Sequence, residues 1–223
     1  KVERLRSCLL EEWESQDLKQ KLEFEGWCEK QFWLNDHSMF MELRNQNNNL
    51  PWWKWSEKFA IHDHAELSKW KIENQKKLLG HSLLQWHLDR QWKSIRKLAK
   101  KLGISLFGDL PFYVSKDSAD VWSRRSLFSI SSNSDTLIQS GVPPDYFSET
   151  GQLWGNPAYR WRRHKVSRYK WWRDRISRHL EQVDFLRLDH FRALEAYWAI
   201  PGRDVTAERG CWLPSPGKKI LNL

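Results

Sequence analysis

The 223 residues carry 37 Lys and Arg against 28 Asp and Glu, a formal net charge of +9, with 16 Trp and only three Cys. A chain of this length buries one good core, and the wide, odd spacing of Cys8, Cys28 and Cys211 argues against a disulfide scaffold or a CxxC zinc site and for reduced thiols. No long apolar run or signal-peptide pattern points to a membrane span or to secretion, while the basic balance raises a polyanionic partner and the Trp content a sugar, since Trp joins a flat apolar face to one N–H donor.

Residues 1–45 read as helices, with Trp27, Phe32, Trp33, Phe40 and Leu43 recurring at roughly helical intervals among charges. The opening falls within that helical pattern and has no Met, which reads as a piece of a longer protein. Asn45 to Pro51 breaks the pattern, and Trp52, Trp53 and Trp55 then supply anchors for a helical core. From Ala65 to Leu102 the pattern is helical again. Leu84, Leu88, Trp92, Ile95, Leu98 and Leu102 share a face, which predicts the buried side, and Gly103 closes the helix. Ile104–Phe107 is predicted as a short buried strand closed by Gly108-Asp109-Leu110-Pro111.

Residues 112–160 read mostly as loop. Asp117 or Ser118 is a candidate cap for a short helix, Ser129 to Asp135 a surface turn, and the stretches Gly141–Phe147 and Gly151–Pro157 are predicted to be irregular. A loop of such length inside a compact domain is usually functional. Residues 160–180 hold nine Lys or Arg against Asp174 alone. Val166, Tyr169, Trp172, Ile176 and Leu180 predict a buried stripe on one helix with the cations facing solvent. That reading is favoured over a nucleic-acid groove because no nucleic-acid motif accompanies the charge.

Residues 183–188 then predict a buried parallel strand, and Asp184–Arg192 ends in Arg187, Asp189, His190 and Arg192. Unpaired charges are too costly for a core, so these belong where the strand emerges, the end at which barrel enzymes keep their chemistry. An Arg two residues before an Asp would favour its ionised form, and such a carboxylate can be a nucleophile; a purely structural Arg–Asp pair fits the same spacing. Beyond it, Gly210–Trp212 and Pro214–Gly217 have the composition of ligand loops.

Three blocks, GDLPFYVSKDSADVW (108–122), GVPPDYFSETGQLWGNPAYRW (141–161) and VDFLRLDHFRALEAYWAIPG (183–202), together with WLNDHSMF (33–40) and PWWKW (51–55), resemble the amylomaltases. These are the 4-α-glucanotransferases of glycoside hydrolase family seventy-seven. The resemblance implies an α/β fold, part of a (β/α)8 TIM barrel with a helical insertion subdomain at 1–80. Residues 81–223 would be the central barrel, including the long 112–160 substrate loop, incomplete at both ends. It implies Asp189 as nucleophile, Arg187 as the group that orients it, and Asp109, Tyr146, Phe147, Trp154 and His190 as substrate-binding residues. No metal or cofactor is called for. The partners implied are α-1,4-glucan donors and acceptor sugars, without nucleic acid or membrane, in a cytoplasm or plastid. The family's general acid/base Glu would lie beyond residue 223, so these residues alone are expected to be inactive. Two departures stand out, Ala193 where the family has Gly and His37-Ser38-Met39 where it has Tyr-Ala-Leu. An α-amylase-type hydrolase and a non-catalytic glucan- or nucleic-acid-binding module remain the alternatives. Steep salt dependence would mark phosphate contacts and set the last of these apart.

Overall fold

The computed structural model describes residues 2–222. The chain divides into two compact units between Leu98 and Ala99.

The first unit is helical: α1 (Val2–Glu14), α2 (Leu18–Lys30), α3 (Leu34–Gln46), a 3-10 turn at Trp52–Lys54, the short α4 (Glu57–Ala60), α5 (His64–Glu73) and α6 (Gln75–Lys101), whose last residues pass into the second unit. Side chains cap two of these helices. Asp17 accepts from the Gln20 N–H at 2.7 Å and Asp63 from the Glu66 N–H at 2.8 Å, which satisfies donors a helix start leaves orphaned. Phe24, Trp27, Leu34, Leu83 and Trp86 form one cluster of its core. Three buried indoles have their N–H groups paired: Trp27 donates to Asp89 at 3.0 Å, Trp55 to the Leu50 carbonyl at 2.8 Å, and Trp70 to Gln46 at 3.1 Å. Trp52 and Trp55 are buried anchors, as the sequence suggested.

The apolar face predicted for α6 is only in part its buried one, with Leu84 and Trp92 half-buried. Leu78, His81, Leu83, Trp86 and Asp89 are buried, whereas Leu88, Ile95, Leu98 and Leu102 are exposed. The helix is 27 residues, about 40 Å long.

The second unit runs β1 (Phe107–Leu110), α7 (Ala119–Ser123), β2 (Ile138–Val142), β3 (Gln152–Pro157), α8 (Trp161–Val166), α9 (Lys170–Leu180), β4 (Phe185–Leu188), a 3-10 turn at Phe191–Leu194, β5 (Ala196–Pro201), β6 (Cys211–Pro214) and α10 (Gly217–Leu221). β1 pairs with β4 in parallel, and β3-β2-β5-β6 form a separate antiparallel sheet. Ser118 is the cap of α7, accepting from the Val121 N–H at 3.3 Å.

Several expectations are corrected here. The first strand begins at Phe107, three residues later than predicted, because Gly108 and Asp109 are strand residues and not a closing turn. The stretches around 141 and 151–157 are strands: Gly141 pairs with Leu153 and with Trp198, so the ladder rather than local composition decides their form. Gly141 is required by this closeness, since a Cβ there would lie 2.1 Å from the Gln152 carbonyl oxygen. The strand Cys211–Pro214 likewise replaces a predicted loop. The single basic helix is two, broken where Arg168 and Tyr169 take left-handed backbone with φ of 50° and 56°. That break turns Trp171 and Trp172 inward and leaves Val166 and Leu180 exposed.

The parallel strands are also less buried than expected, with Phe107 71% and Phe185 58% exposed. The core of this unit lies instead beyond their C-terminal ends, among Phe112, Trp122, Phe128, Tyr159, Trp171 and Trp172. Arg175 ties that core to the strand end. It donates to the carbonyls of Pro111 at 2.6 Å and Phe112 at 3.2 Å, with its guanidinium 5.2 Å from the Trp171 ring centre and 5.4 Å from that of Trp172. One of the cations assigned to solvent is therefore an internal tie.

Candidate active site

Two parallel strands put their C-terminal ends side by side, and the register sets which residues meet there. Phe107 faces Phe185 and, two positions on, Asp109 faces Arg187. The Arg187 guanidinium forks onto the carboxylate, Nε to Oδ1 at 3.1 Å and Nη2 to Oδ2 at 2.5 Å. Bidentate, charge-assisted bonds of this kind fix orientation as well as distance. They hold the Asp109 carboxyl below its ordinary pKa and raise that of Arg187. The same Nη2 lies 3.9 Å from Asp189 Oδ1, so one guanidinium spans both acids but bonds to the first. Asp189 is tied through its backbone, its N–H donating to the Leu110 carbonyl at 3.0 Å, and its side chain is exposed.

His190 follows in left-handed backbone, φ 51° and ψ 51°, which swings its ring off the strand direction. The imidazole stands edge-on to Trp154 at 4.8 Å and 6.4 Å from Tyr113. Its Nε2 is buried without a hydrogen-bond partner among the described residues. Burial lowers the His190 pKa, with Asp189 pulling the other way and Arg192 adding to the lowering. Trp154, on β3, is half-buried, donates to Gln152 at 3.2 Å and lies 6.0 Å from the Tyr113 ring.

The structure thus brings Asp109, Arg187 and Asp189 together, and His190 together with Trp154. It does not bring Tyr146 or Phe147 to them. Those rings sit edge to face at 5.8 Å on a turn pinned by Asp145 Oδ1, which accepts the Phe147 and Ser148 N–H groups at 2.9 Å each. They are 98% and 93% exposed, two aromatic faces offered to solvent on a fixed turn.

Sequence reasoning missed the Asp109–Arg187 clamp, Tyr113 and Arg175. The clamp had a signal, because Phe107-Gly-Asp109-Leu and Phe185-Leu-Arg187-Leu carry acid and base at the same offset from a Phe, as paired parallel strands require. Among the described residues no cluster of His, Cys, Asp or Glu could hold a metal ion, and no helix is long and apolar enough to cross a membrane.

Chemically the arrangement offers one exposed carboxylate beside a cation already committed to a second carboxylate, next to a wall of aromatic rings. Such a wall suits the apolar face of a sugar. Comparison with known proteins points the same way. The family model described as 4-alpha-glucanotransferase, of glycoside hydrolase family 77, matches residues 1–223. A 4-alpha-glucanotransferase of Synechocystis sp. is 40% identical over 201 residues, 89% of this chain and 40% of that protein. A chloroplastic/amyloplastic one from Oryza sativa is 41% identical over 185 residues, 82% of this chain and 31% of that protein. Among solved structures, the amylomaltase of Streptococcus agalactiae in complex with acarbose superposes with a TM-score of 0.87 at 32% identity, covering 92% of this chain and 42% of that one. The chain spans about two-fifths or less of the length of these proteins.

Proposed function

The chain belongs to the 4-alpha-glucanotransferase family, glycoside hydrolase family 77, and from that premise we propose that it carries the nucleophile half of a retaining glucan-transfer site. The reaction moves an α-1,4-glucan segment from a donor maltodextrin to an acceptor glucan or glucose. Asp189 attacks the anomeric carbon and the glycosidic C–O bond breaks. The leaving 4-oxygen takes a proton from a carboxylic acid. The 4-OH of an acceptor then displaces Asp189 and returns the proton, so two inversions give net retention.

The observation that carries this reading is the Arg187 fork on Asp109 with Asp189 3.9 Å away at the same strand end. The guanidinium holds the clamp rigid and leaves Asp189 unbonded by it, free to attack. Asp109 cannot be the proton donor, because Arg187 keeps its pKa low, whereas a general acid needs a raised one. Asp109 is instead a fixed acceptor for sugar hydroxyls. Trp154 and His190 form the wall of the donor ring, and Tyr146 and Phe147 form a platform for the acceptor that keeps water from competing.

The strand pair is read as part of a (β/α)8 barrel, with the helical unit that runs to Leu98 as an insertion and the chain from Ala99 on as central barrel. Parallel sheets are covered on both faces, and the exposed Phe107 and Phe185 support a larger sheet around β1 and β4. On this reading these 223 residues alone do not turn over. The setting is a bacterial cytoplasm or a plastid, and the partners are neutral glucans rather than nucleic acid.

The test is maltotriose disproportionation by the full-length protein, with products separated by size. Glucose together with longer maltodextrins is expected, and Asp189→Asn is expected to abolish both. Glucose and maltose alone would mean hydrolysis, and unimpaired transfer by Asp189→Asn would remove the nucleophile assignment.

A further inference from the structure

Tyr113 lies three residues beyond the end of β1, in the backbone that Arg175 holds through the carbonyls of Pro111 and Phe112. Its ring stacks on Tyr159 at 5.8 Å and 13°, and lies against Phe112 at 5.0 Å, Trp154 at 6.0 Å and His190 at 6.4 Å. The residue is only 6% exposed, and its hydroxyl has no hydrogen-bond partner among the described residues. Tyr159, one ring away, is satisfied, donating to the Phe112 carbonyl at 2.6 Å. A buried polar group without a partner is costly and uncommon, and it is tolerated where something outside the chain completes it. Two such atoms, Tyr113 Oη and His190 Nε2, sit on rings packed against one indole, Trp154.

We infer that the Tyr113 hydroxyl donates a hydrogen bond to a hydroxyl oxygen of the sugar ring that packs on Trp154, making Tyr113 a substrate-binding residue of this site. The inference rests on the glucan reading proposed above and adds to it a residue that fixes the ring's tilt. Burial drives the phenol pKa up, so the group stays a neutral donor at every pH at which the protein works. A neutral polyhydroxyl ligand suits it. An anion would meet the carboxylates of Asp109 and Asp189 at the neighbouring strand end. The aromatic faces supply area without direction, whereas an O–H donor can discriminate a ring whose hydroxyl is misplaced, because the donor is then left buried and unpaired.

The test measures maltotriose affinity by calorimetry on the full-length protein in the Asp189→Asn background, with and without Tyr113→Phe, beside the melting temperature of each. The dissociation constant is expected to rise about three- to tenfold on removal of one neutral hydrogen bond. The melting temperature is expected to stay level or rise, since no partner within the protein is lost. Unchanged affinity overturns the inference. So does weakened affinity with a lowered melting temperature, which would make the hydroxyl structural, and so does the absence of any maltotriose binding. Failure of the transfer reading shows elsewhere, as hydrolysis by the wild-type protein or undiminished turnover by Asp189→Asn, and leaves the affinity comparison readable.

Discussion

Arg187 meets two carboxylates with one planar fork, and the fork is what a lysine lacks. Lys in its place would keep the charge but, as a mobile point donor, could not hold Asp109 through two bonds while standing 3.9 Å from Asp189. Arg187→Lys is expected to lower kcat for maltotriose transfer about 100-fold, the scale of a misplaced reacting group. The pair is solvent-exposed, so the melting temperature should hardly move. Wild-type turnover in that variant, measured on the full-length protein, would leave Arg187 without a positioning role. At this scale much was readable in advance. Charges ending a short apolar strand cannot stay in a core, so Arg187, Asp189 and His190 announced a strand end. Their partners were harder to see, because Asp109 reaches Arg187 only through strand register, which the matching offsets from Phe107 and Phe185 signal but do not establish.

The elements around the site show where local pattern stops deciding structure. β4 was legible as an apolar run with a charged end, and α7 as a short helix with Asp117 or Ser118 as its candidate cap. β2, β3, β5 and β6 were not, because Gly141, Pro157 and Pro201 argue against strands until the partner strands are present. The basic stripe of α9 misled for a related reason. Cation positions look solvent-facing by periodicity, yet the Arg175 guanidinium lies against the Trp171 and Trp172 rings and ends on backbone carbonyls. Replacing Arg175 by Met keeps the stem and removes the donors. Arg175→Met is expected to cost about 2 kcal/mol, the range for hydrogen bonds to a charged group. Thermal melting of the full-length protein checks this, and an unchanged melting temperature would show that α9 does not brace the strand end.

At the scale of the molecule, the division at Leu98 separates two kinds of order. The helical unit gathers Phe24, Trp27, Leu34, Leu83 and Trp86 from within 63 residues of chain and has its own buried indoles with paired N–H groups. Residues 1–101 produced separately are expected to show a cooperative helical melt by circular dichroism, and a broad non-cooperative loss of signal would show that this core needs the second unit. The strand pair of the site has no such autonomy, since Asp109 and Arg187 lie 78 positions apart. A ribosome adding about 5–20 residues per second releases them roughly 4–16 s apart. For that interval β1 is a nascent segment with Phe107 exposed and without the β4 strand it pairs with, the kind of strand that neighbouring chains capture and chaperones shield. The residues that give the site its reach across the chain thus also leave β1 open to aggregation until Arg187 has been made.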